Sequence, residues 1–145
     1  MVFNYQFLKY HTLNTKHFLF EISLVVFIGI TLILLAVQIN GFAFPEEGEY
    51  YYSKIVRNNY TKPMMLVYLV AGVVLGYVLQ LKPWLIGILL VSYFFLITAY
   101  EATVYRGSHN LLPFELAMYL FFAIPPVGGA YIGYLIKRSK EKSSV

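Results

Sequence analysis

The sequence predicts an all-α integral membrane protein: a four-transmembrane-helix bundle, N-in and C-in, with the fourth helix kinked or broken at Pro125-Pro126. Three observations predict it. The first is an apolar excess in a short chain. Of 145 residues, 59% are hydrophobic and only 12% charged, with a mean hydropathy of +0.66. Soluble domains run at about 45–50% apolar and about 25% charged. A domain this small cannot hide so much apolar surface in its own core, and disordered chains depart in the opposite direction. The second is a set of four apolar runs, each near the ~20 residues that cross ~30 Å of hydrocarbon. The third is the punctuation of those runs by proline and basic residues. The chain has no cysteine, which excludes disulfide scaffolds, thiolate metal centres and cysteine nucleophiles.

The whole chain reads as one membrane domain. Residues 1–17 precede the first span and place Phe3, Phe7 and Tyr10 on one helical face. They read either as a short interfacial helix on the cytoplasmic leaflet or as a loosely ordered tail touching lipid. The first span, 18–40, carries Glu21 near its start, and its apolar run exceeds the h-region of a signal peptide. An outer loop, 41–62, follows, with Glu46, Glu47 and Glu49 ahead of Tyr50, Tyr51 and Tyr52. It reads as a segment lying flat on the outer leaflet with its tyrosines at the lipid–water boundary. The alternative is an acidic, aromatic lip for a cation or a partner. Asn59-Tyr60-Thr61 also matches a glycosylation acceptor.

The second span, 64–81, is free of charge; the third, 84–105, contains Glu101; the fourth, 111–136, contains Glu115. Pro63, Pro83 and Pro113 each fall in a first helical turn, where a missing N–H costs nothing. Thr61 and Asn110 stand upstream as candidate caps. Only Lys82 separates the second span from Pro83, which predicts a tight antiparallel hairpin. These unbroken runs lack the alternation of a membrane β-barrel. The tail, 137–145, is basic and acts as a stop signal attracted to anionic lipid.

Four spans bring both termini to one face. That face collects Lys9, Lys16, Lys82, Lys137, Arg138, Lys140 and Lys142, against Lys54, Arg57, Lys62 and Arg106 opposite. The basic excess in short loops places the termini in the cytoplasm of a plasma membrane or bacterial inner membrane. The net charge of +4 is therefore a topology signal, with the basic residues too dispersed for a nucleic-acid surface.

Ionisable residues inside spans are costly and mark candidate sites. Glu21 lies within reach of Lys16 or His17 and reads as a paired or snorkelling carboxylate. Glu101 lies about one turn before the end of the third span and Glu115 about one turn into the fourth, both about 6 Å inside the outer boundary. With Arg106, His109 and Asn110 in the joining loop and Gln38 and Asn40 ending the first span, they predict a polar cluster at the outer end. Three readings compete. Glu101, His109 and Glu115 can ligate a divalent metal, although no compact ligand motif is present. The carboxylates can pass protons or ions. Or Glu115 favours the positive helix N-terminus while Arg106 pairs with Glu101, and His109 and Asn110 cap the loop.

Two further features concern packing. Gly72 and Gly76 in the second span, and Gly129 and Gly133 in the fourth, form GxxxG pairs that let helix backbones approach closely. They serve either intrachain packing of those two spans or a homo-oligomeric interface. Pro125 and Pro126, followed by Gly128 and Gly129, remove backbone donors near the middle of the fourth span. The freed carbonyls need partners, and Tyr119, Tyr131 and Tyr134 are candidate donors. The break is either a packed kink or a functional interruption of the transporter kind. No cofactor is expected: the aromatics look scattered, and His11, His17 and His109 all lie at or beyond span ends.

Three function classes follow. The first is a non-enzymatic membrane component (accessory subunit, assembly factor or oligomeric scaffold), in contact with lipid and with copies of itself or a larger complex. The second is a small homo-oligomeric ion or proton channel or transporter using the outer carboxylates. The third is a membrane-embedded, metal-dependent enzyme.

Overall fold

The computed structural model describes residues 3–41, 51–104 and 112–143, and the side chains of 15–41, 52–104 and 113–142 within them. Among the described residues all regular structure is helical: α1 (Phe3–Asn40), α2 (Tyr51–Asn59), α3 (Lys62–Val78), α4 (Pro83–Leu90), α5 (Ser92–Val104), α6 (Leu112–Phe122) and α7 (Ile124–Ser143). Two stretches, Thr15–Asn40 and Pro113–Lys142, are long and apolar enough to cross a membrane. Two bent pairs raise the number to four if each is one span: Tyr52–Asn59 with Lys62–Val78, bent by 81°, and Pro83–Leu90 with Ser92–Val104, bent by 47°.

Several boundaries differ from the sequence expectation. The segment before the first span is no separate helix, because α1 runs unbroken from Phe3. It ends at Asn40, where Gly41 adopts the left-handed conformation (φ 81°) that stops a helix. The expected loop 41–62 contains α2. That helix buries Ser53, Val56 and Asn59 on one face and leaves Tyr52 and Asn58 exposed, and it packs against α5 and the end of α1. Thr61 takes the N-cap position of α3 with Pro63 in the first turn, but its side chain makes no capping bond. α3 stops at Val78, earlier than expected, because Leu79 and Lys82 turn extended (ψ 166° and 134°). Lys82 precedes Pro83, and a residue before proline is pushed out of the helical region.

The bend at Val91 has no proline or glycine beside it. Ser92 supplies a cause: its hydroxyl donates to the Leu89 carbonyl (2.8 Å), a local bond that competes with the helical ladder. Within the apolar stretch Pro113–Lys142 the helix is interrupted by a turn at Ala123, just ahead of Pro125 and Pro126, which lie in the first turn of α7. Proline at 126 leaves the Phe122 carbonyl without its usual i+4 donor. The Tyr60 hydroxyl takes that place at 2.8 Å. Of the donors expected, Tyr119 bonds Thr98 instead (2.8 Å), and Tyr131 and Tyr134 are exposed.

α3 and α7 meet backbone to backbone. A Cβ at Gly129 would overlap the Leu69 carbonyl, one at Gly133 the Val73 carbonyl, one at Gly72 the Pro126 carbonyl and one at Gly76 the Ala130 carbonyl. The contact advances in the same direction along both helices, so α3 and α7 run parallel. Gly87 of α4 lies equally close to Val127, and Gly29 of α1 to the Leu90 carbonyl. Between these contacts the aromatics collect into one core. Tyr60, Tyr68, Tyr93, Phe94, Tyr119 and Phe122 form ring pairs 4.5–6.3 Å apart. The Tyr68 hydroxyl donates to the Gly29 carbonyl of α1 at 2.6 Å. Residues scattered in sequence are thus gathered in space.

Gly76→Ala forces α3 and α7 apart and is expected to cost about 2 kcal/mol, read as a lower thermal unfolding midpoint in detergent. Gly128 has nothing within 4 Å of an added Cβ, so Gly128→Ala is expected to leave that midpoint unchanged or raise it.

Candidate functional site

Glu101 lies in α5 and is fully buried (0% exposed). Its Oε1 accepts the backbone N–H groups of Tyr52 (2.7 Å) and Ser53 (3.1 Å). Those amides belong to the first turn of α2, where helix N–H groups have no intrahelical acceptor. A carboxylate there also meets the positive end of the helix dipole. Glu101 therefore caps α2 from a different helix. Its second oxygen, Oε2, is buried with no hydrogen-bond partner among the described residues.

Around Glu101 the fold assembles groups from two further helices. Thr98, three residues earlier on α5, shares a 2.8 Å hydrogen bond with the Tyr119 hydroxyl of α6. Glu115 lies four residues before Tyr119, so the two share one face of α6. Glu115, Arg57 of α2 and Glu101 all lie close enough to the Tyr119 hydroxyl to act on it electrostatically. The site thus comprises Glu101 and Thr98 from α5, Glu115 and Tyr119 from α6, and Arg57 from α2.

The expected members distribute unevenly. Glu101 and Glu115 both reach the Tyr119 neighbourhood. Asn40 does not join them: its Nδ2 donates to Asn59 Oδ1 at 2.9 Å, tying the end of α1 to the end of α2. Gln38 is exposed. Arg106, Asn110 and His109, the histidine of the candidate metal set Glu101, His109 and Glu115, lie outside the described residues. Among the described residues no group of three His, Cys, Asp or Glu side chains is placed to hold a metal ion. Pro126 and Gly129 are buried, Pro125 half-buried and Gly128 exposed.

The turn between α3 and α4 repeats the device. Glu21 of α1 is 5% exposed. Its Oε1 accepts the Gln80 backbone N–H (3.3 Å) and lies 3.5 Å from His17 Nδ1. Lys137 of α7 donates to the neighbouring Leu79 carbonyl (3.4 Å). The α3–α4 turn is therefore held through its N–H by one helix and through its C=O by another.

Arg57, Thr98 and the Tyr52 and Ser53 amides escape a reading of the sequence as spans and loops. The spacing of Ser53, Val56 and Asn59 along one helical face marks α2, and Thr98 stands in an i, i+3 relation to Glu101. Comparison with protein-family models, curated proteins and solved structures returns no match.

Glu101→Ala leaves two amides of α2 without their acceptor. The expected cost is about 1–3 kcal/mol, with hydrogen exchange at Tyr52 and Ser53 accelerated well before that of the α3–α7 contact.

Proposed function

We propose that the chain is a four-span membrane protein with both termini cytoplasmic, acting as a non-enzymatic component of a membrane assembly. It serves there as an accessory subunit, an assembly factor or an oligomeric scaffold in a plasma membrane or bacterial inner membrane. The spans are α1, the α2–α3 pair, the α4–α5 pair, and α6 with α7. The parallel course of α3 and α7 supports this count, since the second and fourth of four alternating spans must run the same way. Lys82, Lys137 and Lys140 gather at one end of α3 and α7, in line with a cytoplasmic face there.

The observation that carries the functional reading is the use made of Glu101. A carboxylate buried at membrane depth is costly, and here one oxygen is spent holding the first turn of α2. Glu21 is spent in the same way on the α3–α4 turn. Carboxylates committed to backbone amides support architecture. A second reading, proton or ion carriage, is favoured by one observation: Glu101 Oε2 is buried with no hydrogen-bond partner among the described residues.

Purification at native expression in a mild detergent separates them. The component reading expects additional chains in fixed ratio, copies of this one or of another protein, and proteoliposomes without proton flux. A lone 16.7 kDa chain with a flux lost in Glu101→Gln overturns it in favour of carriage.

A further inference from the structure

At the Lys82 end, a cavity of about 450 Å³ opens between the start of the first span and the α3–α4 turn. Its volume falls within the range of small-molecule sites. Its lining combines polar groups, Glu21, His17 and Lys82, with apolar ones, Phe18, Trp84 and Leu85. Phe18, Leu19 and Phe20 continue as exposed apolar surface along α1, and Trp84 is 46% exposed. A tryptophan beside a lysine at the end of an apolar helix marks the membrane interface. The cavity therefore opens where lipid head groups lie.

We propose that this cavity binds the head group of a phospholipid carrying a primary ammonium, with the acyl chains running along Phe18 and Leu85. The proposal rests on the membrane-spanning reading above. The charges select the ligand. Lys82 offers an ammonium to the phosphate, and basic pockets between spans are recognised head-group sites. Glu21 in the wall opposes a purely anionic head group but accepts hydrogen bonds from an ammonium, which brings three donors. A trimethylated amine brings none. A zwitterion with an N–H donor at one end and a phosphodiester at the other answers both charges. The same chemistry occurs in soluble phosphoethanolamine, and the apolar wall is what commits the site to the lipid.

Trp84 is the only tryptophan of the chain and lines the cavity, so its fluorescence reports occupancy. Full-length protein, delipidated in detergent, is titrated with bromine-labelled phosphatidylethanolamine, phosphatidylcholine or phosphatidylglycerol. Phosphatidylethanolamine is expected to quench Trp84 at about tenfold lower mole fraction than phosphatidylcholine. Lys82→Ala, at an exposed position, is expected to weaken all phosphate binding. Glu21→Gln keeps an acceptor for the Gln80 amide and is expected to abolish the preference between ethanolamine and choline. Equal quenching by the three lipids, strongest quenching by phosphatidylglycerol, no effect of Lys82→Ala, or equally tight binding of soluble phosphoethanolamine each overturns the site. A chain released from membranes by alkaline carbonate contradicts the membrane reading itself; one retained there without lipid preference contradicts only the head-group site.

Discussion

The close contact of α3 with α7 is the constraint around which the remaining helices arrange themselves. Lipid offers no hydrophobic drive to bring two apolar helices together, so the attraction must come from surface contact at short range. Gly72, Gly76, Gly129 and Gly133 remove the side chains that would keep the backbones apart. The packed pair then presents Val127 to Gly87 of α4. It also brings the break after Phe122 beside Tyr60, whose hydroxyl satisfies the carbonyl that Pro126 strands. Through Tyr68 the same unit reaches the Gly29 carbonyl of α1. A disturbance at the glycines therefore propagates into the aromatic core and into the repair of the α6–α7 break.

Polar groups do a complementary job at the two ends. Each helix junction exposes backbone N–H or C=O groups, and in an apolar surrounding each needs a partner. Glu101 serves the start of α2, Glu21 and Lys137 serve the α3–α4 turn, and Asn40 with Asn59 joins the ends of α1 and α2. Three of the few charged residues, Glu21, Glu101 and Lys137, stand where backbone is open. Capping occupies one oxygen of Glu101 and leaves Oε2 buried with no hydrogen-bond partner among the described residues.

How far the sequence foretold this arrangement depended on the range of the interactions. Apolar runs, first-turn prolines and glycines four apart act within a few residues, and the helices they mark are present. α2 was hidden because its amphipathic face is short and its burial depends on Glu101, nearly fifty residues downstream. The bend at Val91 arises from one hydroxyl bonding its own helix, a choice serine makes only in some settings. The sequence offers tyrosines of the same stretch as donors to the stranded carbonyl, whereas Tyr60 reaches it from another element. Of the polar cluster, the two glutamates were legible from depth alone. Arg57 was not, since its place follows from which helix faces meet.

The most direct test of the account is the side of the membrane on which each end of α3 and α7 lies. The chain has no cysteine, so single cysteines at Asn58, Lys82 and Ser139 can be labelled with a membrane-impermeant maleimide. Parallel spans in a four-span chain with cytoplasmic termini require Asn58→Cys to react in intact cells, and Lys82→Cys and Ser139→Cys only after permeabilisation. Reaction of Lys82→Cys and Ser139→Cys from opposite sides, or of Asn58→Cys from the same side as Lys82→Cys, would contradict it.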